Sequence, residues 1–257
     1  KQPFSAAALA ILKDYPSPKS LQSADLEKLT GIVATAARRG SAWAKQKLSQ
    51  LFDYAQIAET IGLSSVALEE KLRIQIQTIE AMEANMAKIE AAIRRLILSD
   101  AFPAGARKNI ELLDAMPGIG FISAVTLVAE MGDFSKFQSA KAFAAFFGVD
   151  PAVKESGKFK GDRIQMSKRG SKLGRRVLYT IAMASIRKTK KGDAINPVLK
   201  AYYESKIASK KKKVALVAVM HKLLHYIFAV LREQKPFEIR KPEDHRLKHM
   251  GQLKLVA

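Results

Sequence analysis

The sequence predicts a mainly α-helical protein, and three observations support this fold class. Apolar residues recur at spacings of three and four through most of the chain, which is the period of a helix with one buried face. No series of segments alternates apolar and polar residues, as the strands of a half-buried sheet do. Of the 257 residues 48% are hydrophobic, which is enough to bury a core. We therefore expect one large helical domain or two modest ones.

Residues 1–64 are expected to form a small helical insertion. Its Ala-rich and Leu-rich stretches are interrupted by turn signals at Pro16, Pro18, Gly31 and Gly40. Proline and glycine in such positions end one helix and begin another. The chain begins without Met and without the apolar core of a secretory signal, so we expect it to be a piece of a longer protein.

Residues 65–100 are expected to form one long coiled-coil helix. The apolar positions are spaced close to the heptad period, at Leu72, Ile76, Ile79, Met82, Met86, Ile89, Ile93 and Leu96. Pro103 ends the helix, because proline disfavours helical geometry in the residue before it. Two interpretations stay open: the helix packs inside its own domain, or it pairs with a second copy of the protein.

Residues 101–237 are expected to form a second helical domain, followed by a basic tail over 238–257. Within this domain Pro117-Gly118-Ile119-Gly120 separates two apolar helical segments, as in a helix-hairpin-helix DNA-binding motif. The two glycines would let backbone amides approach a phosphate closely, which grips the DNA backbone without reading its sequence. The alternative is an ordinary glycine turn between two core helices.

A polar and basic segment at residues 151–170 places Ser156 among four cations, Lys154, Lys158, Lys160 and Arg163. A serine hydroxyl attacks phosphate only if it loses its proton and the charge of the phosphate is offset. Lysine and arginine serve the second need, so Ser156 is a candidate nucleophile. From the residues alone Ser167 and Ser171 are equal candidates, and Ser156 can also be a loop serine that contacts phosphate.

The helix that begins near Ser171 has one basic and one apolar face, with Leu173, Val177 and Ile181 on the apolar side. The basic face continues the cations of the preceding loop, so we expect phosphate contacts from Lys168, Arg169, Lys172, Arg175 and Arg176. The whole chain carries 44 Lys and Arg against 24 Asp and Glu, a net charge of +20. Nucleic acid is the expected partner of such an excess.

Other kinds of site have less support in the sequence. There is no cysteine, and His221 and His225 lack the glutamate and the third ligand of a zinc site, so we expect no metal site. We interpret four carboxylates as helix caps and surface charges: Glu130, Asp133, Asp150 and Asp162. We find no apolar run that reaches the roughly 20 residues of a spanning helix, so we expect no membrane contact.

A set of short motifs follows in a fixed order through residues 107–237. The set comprises Met116-Pro117-Gly118-Ile119-Gly120, Ala129-Glu130-Met131-Gly132-Asp133, Phe146-Phe147-Gly148-Val149-Asp150-Pro151, Glu155-Ser156-Gly157, Ser167-Lys168-Arg169-Gly170 and Arg175-Arg176-Val177-Leu178-Tyr179. In this order it resembles the C-terminal transposase domain of the insertion sequence one hundred and ten family, to which the Piv DNA invertase is related. The helices that precede it resemble the middle region of that family.

The resemblance implies a bridge-RNA-guided DNA transposase, or site-specific recombinase, that acts on target and donor DNA. It also implies that Ser156 becomes covalently joined to a DNA strand, beside a RuvC-like domain whose Asp-Glu-Asp-Asp carboxylates bind Mg²⁺. We expect that domain to be missing from this chain, so the chain alone should be inactive and hold no cofactor. The resemblance further implies a dimer or tetramer formed through the coiled coil, in the cytoplasm of a prokaryotic cell and associated with its nucleoid.

Two functions of other classes stay open. One is a non-catalytic module that binds DNA or RNA and promotes oligomerisation. The other is an RNA scaffold, which would bind RNA tightly and DNA weakly. Metal-dependent strand cleavage separates the enzyme from both.

Overall fold

The computed structural model describes residues 5–62, 65–152, 155–156, 159–160 and 165–240. Over these residues the protein is mainly α-helical, as the sequence predicts, with one short antiparallel hairpin. The chain divides into two compact units, Lys1–Ile93 and Arg94–Ala257. The division falls inside one long helix, between Ile93 and Arg94.

Two helices of unit 1 begin at expected turn signals, one at Pro18 and one directly after Gly40, whereas Gly31 lies inside the helix Leu26–Ala37, so the turn expected there was wrong. The side chains of Ser5, Ser17 and Asp25 accept hydrogen bonds from amides in the first turns of three successive helices, which stabilises those helix ends. The core includes Leu29 and Leu48. The elements are α1 (Ala6–Asp14), α2 (Pro18–Gln22), α3 (Leu26–Ala37), α4 (Ser41–Ile61) and the first part of α5 (Val66–Leu98).

The long helix expected at residues 65–100 is α5, with 33 residues. Much of its apolar seam is exposed in the single chain: Met82, Met86 and Ile89 expose 61%, 69% and 61% of their surface. Ile76, in contrast, is 3% exposed and packs within unit 1. The pairing of α5 with a second copy stays a prediction, and the exposed seam is the surface that such a pairing would use.

Unit 2 is organised around α11 (Lys212–Glu233), which packs against four other helices. Val219, Leu223 and Ile227 recur on its buried side at helical spacing. The other elements are α6 (Ala104–Asp114), α7 (Phe121–Met131), a 3₁₀ turn (Phe134–Lys136), α8 (Ala140–Phe146), β1 (Glu155–Ser156), β2 (Phe159–Lys160), α9 (Lys172–Ser185) and α10 (Pro197–Ile207). Helices α6, α8, α9 and α10 all pack against α11.

A cluster of phenylalanines joins α8 and the turn before it to α11. The rings of Phe137 and Phe143 lie 4.9 Å apart edge to face, and those of Phe143 and Phe147 lie 5.2 Å apart edge to face. Phe134 reaches Phe228 of α11 at 5.4 Å. Such pairs add to the free energy gained by burying the rings. The cluster therefore fixes the end of α8, from which the segment carrying the candidate serine departs.

The expectation that no apolar run is long enough to cross a membrane was wrong for α11. By length and composition its 22 residues pass that test, because the charged residues inside it are few. In the structure 56% of its most apolar window is buried inside the unit, as in the core helix of a globular domain. Length and composition are therefore weak evidence for a membrane span here.

Candidate nucleic-acid interface and serine hairpin

The backbone of Ser156 lies on a short β-hairpin. β1 pairs antiparallel with β2, so that Glu155 faces Lys160 and Ser156 faces Phe159. This register places Ser156 at the last position of β1. The side chains of these four strand residues lie outside the described structure, as do the predicted cations Lys154, Lys158 and Arg163. The cationic surroundings of Ser156 stay a prediction.

Backbone hydrogen bonds hold the base of this hairpin. The amide of Ala152 donates to the carbonyl of Gln165 at 2.7 Å, and the amide of Lys168 donates to the carbonyl of Gly148 at 3.0 Å. The chain segments before and after the hairpin are therefore paired where both leave the helical core. We call the paired segments 148–152, 155–156, 159–160 and 165–168 together the serine hairpin.

At this base the backbone at Gly148 crosses in close contact with the backbone at Gly170. A Cβ on Gly170 would lie 1.8 Å from the carbonyl oxygen of Phe146 and 2.6 Å from the carbonyl carbon of Phe147. A Cβ on Gly148, whose φ is +63°, would lie 2.6 Å from the amide nitrogen of Gly170. Because the obstacles are backbone atoms, no side-chain movement could relieve these contacts. Only glycine fits at either position.

Lys168 is held in a left-handed backbone conformation, with φ at 57°. Residues other than glycine adopt this conformation rarely, and it persists where the surroundings enforce it. Here the hydrogen bond from its amide to Gly148 enforces it. The side chain of Lys168 is exposed, so this predicted phosphate-binding cation projects from a fixed point of the hairpin base.

The two serines that compete with Ser156 in the sequence have hydrogen-bond partners in the structure. Ser167 donates from its hydroxyl to Asp150 at 2.5 Å and from its amide to the carbonyl of the same residue at 2.8 Å. Ser171 donates to Glu130, and its hydroxyl oxygen accepts from the amide of Gly174 at 2.9 Å, which caps α9. Both hydroxyls are thus engaged in holding the ends of the hairpin.

The interpretation of Glu130 and Asp150 as caps or surface charges was therefore wrong. Each accepts a hydrogen bond from a serine far away in sequence, and both are only partly exposed. Sequence reasoning missed them because nothing in the chain order indicates that residues 41 or 17 positions apart will meet. Asp133 does cap the 3₁₀ turn, as predicted: it accepts from the amide and the hydroxyl of Ser135 at 2.9 and 2.7 Å. These bonds lower the pKa of Asp133 below its ordinary value.

Arg175 serves the fold of the hairpin base. Its guanidinium Nη1 donates to the carbonyl of Gly170 at 2.7 Å and to that of Phe147 at 3.2 Å, so it joins the segments on both sides of the crossing. The contact of Arg175 with nucleic acid stays a prediction. Its Nη1 already donates to two backbone carbonyls. The other cations predicted for this surface are exposed: Lys168, Arg169, Lys172 and Arg176.

The predicted helix-hairpin-helix turn lies between α6 and α7, and its two glycines are in different surroundings. Gly118 has φ at +97°, and a Cβ there would lie 2.3 Å from Oγ and 2.8 Å from Cα of Ser185 in α9. Gly120 is exposed, with no heavy atom within 4 Å of the position of a Cβ. Packing against α9 therefore requires Gly118, whereas the space at Gly120 is open to a ligand.

The N-terminus of α7 follows Gly120 directly, without a side-chain cap. Its first amides and the helix dipole give this end a partial positive charge. The guanidinium of Arg94 lies 3.7 Å from the ring centroid of Phe121, the first residue of α7, and adds a full positive charge nearby. Sequence reasoning did not identify Arg94, whose position depends on how the end of α5 folds back on α7.

The described residues contain no group of three or more His, Cys, Asp or Glu side chains that could hold a metal ion. The rings of His221 and His225 lie 4.8 Å apart on α11. Burial and the neighbouring His221 lower the pKa of His225. The arrangement fits two histidines that pack side by side on a helix.

Residues 110–204 match the model of the Transposase IS116/IS110/IS902 family. The chain is 24% identical over 234 residues to the "Insertion element IS110 uncharacterized 43.6 kDa protein" of Streptomyces coelicolor, covering 90% of this chain and 53% of that protein. It is 33% identical over 129 residues to the "Pilin gene-inverting protein" of Moraxella bovis, covering 50% of this chain and 38% of that protein.

A third relative is the "Transposase for insertion sequence element IS1111A" of Coxiella burnetii, 30% identical over 135 residues, or 52% of this chain and 36% of that protein. The chain spans about half the length of the curated relatives that it matches over most of its own length. The family match includes α7, α8, the serine hairpin and α9, which are the elements that build the site described above.

Proposed function

We propose, from the match of residues 110–204 to the model of the Transposase IS116/IS110/IS902 family, that the complete protein is a DNA transposase or site-specific recombinase. The proposed nucleophile is the hydroxyl of Ser156. The observation that supports this most is that the family match includes the whole serine hairpin, whose base is fixed by paired backbone and by two glycines that admit no side chain.

In the proposed step the Ser156 oxygen attacks a DNA phosphorus and loses its proton. A new serine–phosphate ester bond forms, the bond from phosphorus to a deoxyribose oxygen breaks, and the leaving oxygen takes up a proton. The number of phosphate ester bonds is unchanged, so the strand can be rejoined by the reverse attack of a deoxyribose hydroxyl without an external energy source. A hairpin base held by paired backbone favours this step, because positioning of the reacting groups lowers the barrier to reaction.

The exposed cations beside the hairpin are proposed to hold the nucleic-acid backbone. Lys168, Arg169, Lys172 and Arg176 lie on the hairpin base and the first turns of α9, and each can offset one phosphate charge. The end of α7 after Gly120 offers backbone amides for a further phosphate. Such contacts fix the strand without reading its bases, in agreement with a recombinase whose target is chosen by a bridge RNA.

The proposed reaction also needs a metal ion and nucleic-acid partners. Mg²⁺, held by the carboxylates of a RuvC-like domain, would neutralise negative charge on the scissile phosphate. Glu130 and Asp150 do not fit that role here, since the described residues hold no group of three or more His, Cys, Asp or Glu side chains that could bind a metal ion. We further propose target DNA, donor DNA and a bridge RNA as partners, and a homo-oligomer that forms through the exposed seam of α5.

A denaturing gel that detects a covalent protein–DNA adduct tests the proposal. The chain is incubated with bridge RNA, target DNA and Mg²⁺, with and without the RuvC-like domain joined in front of it. We expect an adduct only with that domain present, lost in Ser156→Ala and retained in the matched control Ser209→Ala, which changes an exposed serine of the same unit. Nucleic-acid binding without any adduct would instead indicate a binding and oligomerisation module.

A further inference from the structure

Unit 2 has a second feature suited to nucleic acid, a surface cavity of about 420 Å³. It lies among the start of α10, the second half of α11 and residues 235–240. Val198, Ala229 and Val230 form an apolar part of its wall, and the rings of Tyr226 and Phe237 form an aromatic part. Its volume is within the range of cavities that bind small molecules. None of the sequence motifs described above includes it.

The aromatic part of the wall is open to a further planar group. The ring centroids of Tyr226 and Phe237 lie 5.5 Å apart with the planes tilted by 41°, so the two rings do not stack face to face. Both residues are partly exposed. A planar ring that enters the cavity can therefore stack on one of them, and every nucleobase has a face suited to this.

Two lysines without an acidic partner stand next to this wall. The Nζ of Lys222 lies 4.4 Å from the ring centroid of Tyr202 and 5.9 Å from that of Tyr226, and the Nζ of Lys206 lies 5.1 Å from that of Tyr202. Neither forms an ion pair with a carboxylate of the described residues. Burial and the charge of Lys206 lower the pKa of Lys222. An anion placed beside both ammonium groups would relieve this repulsion.

The carboxylates of the cavity are grouped at its other side. Glu238 forms an ion pair with Arg240, and Glu233 lies 3.9 Å from Arg232. Both stand on or after the last turn of α11, whereas Lys222 lies more than two turns earlier. The cavity therefore has a cationic end at Lys222 and an end with mixed charge near residue 238, with the aromatic rings between them.

We propose that this cavity binds one unpaired nucleotide of a single-stranded DNA or RNA segment. The base stacks on Tyr226 or Phe237, and the phosphate meets Lys222 and Lys206. A paired base cannot enter, because its faces are covered by its neighbours in the duplex. The inference rests on the proposed function, since it assigns this site to a protein that acts on nucleic acid.

Photo-crosslinking tests the site directly. Single-stranded 12-nucleotide oligomers that carry 5-iodouracil, one set with ribose and one with deoxyribose, are irradiated with the full chain, and the linked peptides are identified by mass spectrometry. We expect linkage to Tyr226 or Phe237, and none from the same oligomer annealed into a duplex. Comparison of the two sets shows whether the natural strand is RNA or DNA. Linkage only at other residues, or equal linkage from the duplex, would overturn the proposal.

Substitutions separate stacking from charge. Tyr226→Phe keeps the ring and should crosslink as well as the wild type, whereas Tyr226→Leu keeps an apolar side chain and should weaken single-strand affinity by about fivefold to a hundredfold, the effect of losing one base stack. Lys222→Gln should weaken it too, and the matched control Lys141→Gln, an exposed lysine of α8, should leave the crosslink unchanged. A thermal melt of each variant reports whether it folds, and equal affinity of a folded Tyr226→Leu would contradict the proposal.

The outcome is distinguishable from failure of the proposed function. If the Ser156 adduct forms but the cavity does not crosslink, this inference alone is wrong. If the cavity crosslinks while no adduct forms under any condition, the chain binds nucleic acid without the proposed chemistry.

Discussion

Replacement of Gly118 by alanine should destabilise unit 2, whereas the same replacement at Gly120, two residues away, should not. The two glycines belong to one sequence motif, and the sequence assigns them the same role. In the structure Gly118 has a positive φ and faces backbone atoms of Ser185, while Gly120 has φ at −106° and open space around it. The prediction separates packing from phosphate binding within a single turn.

The magnitude follows from two terms. Alanine at φ +97° costs about 1–3 kcal/mol, the range for residues held in rarely populated backbone regions. The contact of its Cβ with Ser185, at 2.3 Å from Oγ and 2.8 Å from Cα, adds about 1–3 kcal/mol as overpacking. For a unit of this size each kcal/mol lowers the melting temperature by roughly 2–4 °C. The two terms together give about 2–6 kcal/mol, so we expect Gly118→Ala to lower the melting temperature of unit 2 by about 4–24 °C.

Differential scanning calorimetry is the suitable assay, because it can resolve separate transitions of the two units. Gly120→Ala should change the melting temperature by less than about 4 °C, since loss of glycine from a helix N-cap costs only a fraction of a kcal/mol to about 1 kcal/mol. If the amide of Gly120 approaches a DNA phosphate, the added methyl group of Gly120→Ala should weaken DNA binding. Equal loss of stability in both variants, or no loss in Gly118→Ala, would refute the assignment of Gly118 to packing.

Three further predictions concern other contacts. The bond between Ser167 and Asp150 should give a coupling of about 1–3 kcal/mol in a double-mutant cycle of Ser167→Ala and Asp150→Asn measured by urea unfolding, and strictly additive effects would exclude it. Because bonds from Ser135 lower the pKa of Asp133, this carboxylate favours folding above its ordinary pKa and loses that contribution as the pH falls through its folded-state pKa. Ser135→Ala should raise that pKa in an NMR titration, and an unchanged titration would contradict the assignment. Met86→Glu, at a position 69% exposed on the seam of α5, should shift sedimentation toward the monomer, and an unchanged oligomer would exclude this seam as its interface.

The helical fold could be predicted because its signals are local. The heptad spacing of α5 depends only on neighbouring residues, and so do the turn signals that begin α2 and α4. The membrane expectation failed for α11 because a buried core helix and a spanning helix have similar composition, and only packing separates them.

The site was less accessible to sequence reasoning because its geometry is non-local. Gly148 and Gly170 are recognisable as glycines, but nothing in the chain order shows that their backbones meet. The sequence assigns Arg175 to nucleic acid by its charge, whereas its guanidinium also binds two carbonyls that only the folded chain brings together. The sequence could not rank the three serines. The structure gives Ser167 and Ser171 hydrogen-bond partners through long-range contacts, and the choice of Ser156 among the three stays a prediction.

Identification of the residue that carries DNA tests the central proposal most directly. The adduct formed by the protein with its RuvC-like domain, bridge RNA, target DNA and Mg²⁺ is digested with nuclease and protease, and the peptide that retains a nucleotide phosphate is sequenced by mass spectrometry. The account predicts that the phosphate is attached to Ser156. Attachment to Ser167, to Ser171 or to any other side chain would contradict it.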